Sequence, residues 1–159
     1  MKYYTELRYQ LMPYIYSLAS KTHFEDYTIM RAMVMDYSND EKTYDIDDQF
    51  MFGPAFMACP VHKYKARERK VYFPSGVWYD FYSGKCIQGG TAMDVDAPYE
   101  RMPLFVRAGS IVPTGKVIQS TKEEQKDLTV SVYAGADGSF TLYEDNGCLL
   151  YTSDAADDK

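Results

Sequence analysis

Apolar residues near the start of the chain recur at spacings of three and four. Tyr4, Leu7, Leu11, Tyr14, Ile15 and Leu18 fall on one stripe. That period predicts an amphipathic helix over residues 3–20, about five turns long. Pro13 lies inside it and predicts a kink, because proline removes a helical N–H and crowds the preceding turn. The pattern then becomes continuous. Around Arg31, residues 28–35 are almost wholly apolar, which suits a strand buried on both faces, as in parallel α/β sheets. Such a strand, cut off from its parallel neighbours, would leave edges and apolar faces open and make the chain marginally stable. Residues 38–48 are polar and acidic and predict a loop. Residues 51–54 carry a turn, and residues 55–59 predict a further strand.

After Pro60 the grammar changes. Residues 63–70 are rich in lysine and arginine and read as a solvated linker face. Beyond them, short β-like runs alternate with glycine and proline: residues 71–73, 77–82, 102–106, 110–112, 128–133 and 139–143. Strands at that spacing predict an antiparallel sandwich or barrel. The expected fold class is therefore α/β followed by all-β.

Composition narrows the functions. Of the 159 residues, 46% are hydrophobic and 16% aromatic, enough to build a core, so the chain is not a disordered one. The 17 basic residues against 23 acidic ones give a net charge of -6, which offers no surplus for neutralising a nucleic-acid backbone. No apolar run reaches the roughly 18 residues of a membrane span. The first residues hold no apolar signal core, so secretion gains no support and the compartment stays open. Cys59, Cys86 and Cys148 are scattered, with no CxxC pair and no disulfide framework, and read as unpaired thiols.

The search for chemistry returns little. Phosphate-loop, dinucleotide, nucleophile-elbow and HExxH patterns are all absent. His23 and His62 stand in different segments without ligand-like neighbours. The stretch from Asp137-Gly138 to Asn146-Gly147 lacks the alternating carboxylates of a calcium loop and reads as a tight turn joining two strands. Asp45, Asp47 and Asp48 are adjacent on a loop. A glycosidase needs its two carboxyls on opposite sides of one bond, about 5–5.5 Å apart in a retaining enzyme, which neighbours on a loop do not supply. Tyr72, Trp78, Tyr79, Phe81 and Tyr82 have faces that could stack on sugars, but at alternating strand positions they read first as core.

The order of phrases resembles glycoside hydrolase family 31. LRYQLMPYIY at residues 7–16 is similar to the helix before the last barrel strand of that family. YTIMRAMVMD at residues 27–36 is similar to that strand, with Ala32 where most members carry proline. DQFMFGP at residues 48–54, ending in ACPV, resembles the exit from the barrel. VYFPSGVWYDF at residues 71–81 and PLFVRAGSIVP at residues 103–113 resemble the opening and closing strands of a proximal β-sandwich. ADGSFTLYEDNG at residues 136–147 resembles the start of a distal β domain.

That resemblance implies the last elements of a (β/α)8 barrel over residues 1–62. An antiparallel β-sandwich would follow over 63–120, and the start of a second β domain over 121–147. It implies the C-terminal part of a retaining α-glycosidase acting on terminal α-xylosyl or α-glucosyl groups of oligosaccharides, with α-xylosides slightly favoured. The family's nucleophile and acid/base are aspartates upstream of the LRYxLLPYIY phrase. Neither of their phrases occurs here, so no catalytic, cofactor-binding or metal-binding residue is assigned to this chain, no cofactor is expected, and the oligomeric state stays open. Residues 148–159 read as the translation of a transposon-based sequencing adapter, and Met1 then as an internal methionine of a longer enzyme. The alternative is a non-catalytic carbohydrate-binding or structural β-sandwich module. The helix and apolar run over residues 3–35 argue against it.

Overall fold

A computed structural model describes residues 2–120 and 127–145 of the chain. The N-terminal stripe folds as two helices, α1 (Lys2–Gln10) and α2 (Met12–Glu25), joined at Leu11. The break precedes Pro13, which instead sits in the first turn of α2, where a missing N–H needs no partner. Helical hydrogen bonds still bridge the joint, from Leu11 N–H to Leu7 O at 2.9 Å and from Ile15 N–H to Leu11 O at 2.8 Å. Leu7, Leu11, Tyr14 and Leu18 are buried together, as their spacing predicts.

The helices pack on a six-stranded antiparallel sheet in the order β1-β2-β3-β8-β5-β6. Its strands are β1 (Met30–Ala32), β2 (Phe50–Phe52), β3 (Phe56–Ala58), β5 (Val77–Asp80), β6 (Cys86–Gln88) and β8 (Leu104–Arg107). Side chains alternate between two cores. Phe56, Ala58, Leu104 and Val106 face the helices, while Met51, Met57, Trp78 and Phe105 face the other way. There they meet Val71 and Phe73 of β4 (Glu68–Phe73), which pairs with β7 (Thr91–Asp96) as a separate two-stranded ribbon. A third pair joins β9 (Ile111–Thr114) to β10 (Thr129–Val132).

Several elements differ from the sequence reading. Residues 28–35 do not form one strand buried on both faces. Three of them make β1, which pairs antiparallel with β2 at the sheet edge, and the next four form a helical turn, α3 (Met33–Asp36). Met33 is buried, but Met30 and Met35 are 60% and 50% exposed. The Arg31 guanidinium Nε reaches both carboxylate oxygens of Asp36 at 3.0 Å, closing the turn onto the strand. Strands from both sides of residue 62 thus share one sheet.

Residues 63–70 are not all linker, since β4 begins at Glu68. β6 and β7 escaped the pattern because β7 is exposed almost throughout and shows no apolar alternation. Residues 139–143 are coil rather than strand: the Tyr143 N–H donates to Ser17 Oγ at 3.0 Å, not to a ladder. Asp137-Gly138 accordingly lies in coil and does not close a hairpin. Asn146, Gly147, Cys148 and the adapter-like stretch 148–159 lie outside the described residues. Among those described, no helix is long and apolar enough to cross a membrane.

Candidate functional site

The helices and the sheet meet at Tyr14, whose side chain carries a polar tip into the buried helical stripe. It has no exposed surface. Its hydroxyl donates to Phe52 O at 3.1 Å and accepts from the Ala55 N–H at 3.2 Å, so one carbonyl and one N–H flanking the β2–β3 turn are satisfied from the helix. Burial drives its hydroxyl pKa well above the ordinary tyrosine value. The approach is possible because residue 53 is glycine. A Cβ there would lie 2.3 Å from the Tyr14 hydroxyl, and the backbone φ of +63° disfavours other residues. On its other side the Tyr14 ring stacks on Phe140, with centroids 5.3 Å apart and planes at 18°.

Beside this joint a groove of about 300 Å³ runs between α2 and residues 139–143. Phe24, Lys21 and Ser20 line one wall, and Thr141 and Tyr143 the other. The Phe24 and Tyr143 rings lie 5.9 Å apart, and Phe24 remains 64% exposed.

A second joint ties the loop before β2 to β4. The Gln49 side chain, buried, donates from Nε2 to Tyr72 O at 2.7 Å and accepts at Oε1 from the Tyr72 N–H at 3.1 Å, imitating one rung of a ladder. Next to it the Arg69 side chain, 8% exposed, pairs with the Asp48 carboxylate at 2.9 Å and donates to the carbonyls of Asp48 and Pro60. Neither joint was foreseen. A signal for the first was available in Tyr14 at the middle of the apolar stripe and in Gly53 between two strands.

The residues weighed from sequence do not converge. Asp48 is spent on Arg69, while Asp45 and Asp47 are exposed. Asp40 accepts from the Tyr72 hydroxyl at 2.6 Å, and burial with that bond pushes the Tyr72 pKa up to about 12. Asp80 caps the turn after β5 through the N–H groups of Tyr82 and Ser83. These carboxylates are structural.

Of the aromatic set, Trp78 is fully buried, and its Nε1 donates to Pro74 O at 2.9 Å. Phe81 packs on Phe56, and the hydroxyls of Tyr79 and Tyr82 bond the carbonyls of Ala134 and Met102. They serve different contacts and form no shared platform. Arg67, from the basic stretch, stacks over the Tyr99 ring. His23 lies against Phe24, and His62 is exposed. Cys59 is buried, which pushes its thiol up to about 12, and Cys86 is exposed. Among the described residues, no group of three histidine, cysteine or acidic side chains could hold a metal. The arrangement fastens parts together.

Comparison with known proteins agrees with that architecture. The family model "Glycosyl hydrolase family 31 C-terminal domain" matches residues 26–112. An α-xylosidase of Saccharolobus solfataricus is 45% identical over 146 residues, which cover 91% of this chain and 20% of that protein. Alpha-glucosidase 2 of Bacillus thermoamyloliquefaciens is 33% identical over 149 residues, covering 92% of this chain and 19% of that protein. The crystal structure of the family 31 α-xylosidase from Xanthomonas citri superimposes with a TM-score of 0.87 at 55% identity, over 91% of this chain and 16% of its own. The chain spans about a fifth of the length of the curated relatives it matches.

Proposed function

The chain belongs to glycosyl hydrolase family 31, and from that premise we propose that it is the C-terminal part of a retaining α-glycosidase. The enzyme would hydrolyse terminal α-xylosyl or α-glucosyl groups of oligosaccharides, with α-xylosides favoured. The identity to two α-xylosidases, 45% and 55%, carries the reading. A (β/α)8 barrel takes about 250 residues, more than the whole of this chain. In the complete enzyme one aspartate attacks the anomeric carbon while a second protonates the leaving oxygen. The second then activates the water that hydrolyses the glycosyl-enzyme. Both belong to phrases this chain lacks, so the chain alone is inactive.

Within that reading, α1 and α2 are the end of the barrel, and the β-sandwich begins directly after them rather than at residue 63. Two observations support this. The family match starts at residue 26, and β1–β3 share a sheet with β5, β6 and β8. The helices also carry a second stripe, Tyr9, Met12, Tyr16 and Ala19, at helical spacing and away from the buried one, with Tyr16 44% exposed. A helix clothed on both sides belongs between two layers. Likewise Val130 and Val132 of β10 are 56% and 69% exposed, which suits further β structure packing there as a distal domain.

The test is a longer reading frame that contains this chain. Its product should release the aryl group from α-xylosides and α-glucosides, with the sugar first appearing in its α form by NMR. Inverted product, or hydrolysis of neither substrate, would overturn the assignment.

A further inference from the structure

Residues 133–145 cross from the β8–β9 turn to α2 without joining any sheet among the described residues. At one end the Gly109 N–H donates to Tyr133 O at 2.7 Å, and the Tyr133 N–H to Ser110 O at 2.9 Å. In the middle the backbones of Gly138 and Gly109 touch: a Cβ on residue 138 would lie 1.7 Å from Gly109 O. At the far end the Tyr143 N–H donates to Ser17 Oγ, and the Tyr16 hydroxyl donates to Asp145 at 2.5 Å. Between these points Phe140 covers the Tyr14 ring. Tyr133, Phe140 and Tyr143 are half-buried, and every other residue from Ala134 to Asp145 is solvent-exposed.

We infer that residues 136–145 are a strap that opens as a unit, hinged at Ala134-Gly135, while the six-stranded sheet stays folded. Stability in a protein is drawn locally from buried apolar contact and shielded hydrogen bonds, and segments poor in both open first. Beyond the hinge the strap has two half-buried rings, Phe140 on Tyr14 and Tyr143 against Tyr16 and Phe24, and no ladder among the described residues, whereas β3 and all of β8 but Arg107 are buried. Gly135 sits at a φ of +105°, a conformation other residues rarely adopt, which marks where the chain turns away from the sheet. Opening bares the Tyr14 ring and merges its surface with the groove lined by Phe24 and Lys21. The device depends on no activity of a longer enzyme.

Hydrogen exchange on the complete 159-residue chain tests this. The Tyr143 amide, beyond the hinge, should exchange at least about tenfold faster than those of the β3–β8 ladder. Gly138→Ala, which drives a methyl into Gly109, should speed the strap amides by a further factor of about ten and leave the ladder amides unchanged. Tyr16→Phe, which keeps the ring and removes the tie to Asp145, should act the same way at Tyr143 and more weakly. Exchange of strap and ladder at one common rate, protected or not, overturns the proposal. So does a Gly138→Ala chain whose ladder loses protection together with the strap.

Discussion

The two faces of the central sheet are closed by different means. On one, Met51, Met57, Cys59, Trp78 and Phe105 meet Val71 and Phe73 of the β4–β7 ribbon, and each of these side chains is almost wholly out of solvent. On the other, Leu7, Leu11, Tyr14 and Leu18 of the helices meet Phe56, Leu104 and Val106, yet away from that stripe the same helices show Tyr16 and Phe24 to solvent. The ribbon finishes its face. The helices finish theirs only on the inner side.

The comparison can be broken by substitution, the largest effect falling on the ribbon face. Trp78→Ala should cost about 3–5 kcal/mol, since it empties a large, fully enclosed site, and should lower the urea midpoint for sheet and helices together. On the helix face, Tyr14→Phe keeps the ring and leaves the Ala55 N–H without its acceptor, a loss of about 1–3 kcal/mol. Its mark should be selective, with helical circular dichroism lost ahead of the Trp78 fluorescence change. Coincident loss in both variants would mean that the two faces are not distinct.

Alkali should act on the ribbon face first. Burial raises the Cys59 thiol from 9.0 to about 12. Between those values the unfolded chain releases a proton that the folded chain retains. Stability is therefore intact below pH 9 and falls as pH rises, by up to about 1.4 kcal/mol per unit for this one group. Cys59→Ala should flatten the stability curve between pH 9 and 10, below the ordinary range of tyrosine ionisation. The smallest effect belongs to the surface. Arg67→Ala removes a solvent-exposed stack on Tyr99 and should cost no more than about 1 kcal/mol.

How much of this was legible in the sequence follows from where each signal resides. The buried helical stripe was readable because its period is local. So were the strands whose apolar residues alternate or cluster, such as residues 71–73 and 77–80. β7 was not, because its six residues lie on an exposed ribbon and owe their strand conformation to pairing with β4. The run at residues 28–35 misled for a related reason. Continuous apolarity suits a doubly buried strand, but here Arg31 bonds forward to Asp36 and turns the chain after three residues. The joints at Tyr14 and Gln49 depend on partners 38 and 23 residues away, distances over which periodicity carries no information. The phrases at residues 7–16, 71–81 and 103–113 pointed to the family where physical pattern alone stopped at a fold class.

The most direct measurement is hydrolysis of aryl α-xyloside and α-glucoside by the 159-residue chain itself, beside the longer enzyme at equal molarity. The longer enzyme should turn over at least one of the two, and the chain alone should release the aryl group no faster than buffer. Turnover by the chain alone would mean that its carboxylates, tied here to Arg31, Arg69, Tyr72 and the turn after β5, suffice for the chemistry, and the account of it as a non-catalytic part would be wrong.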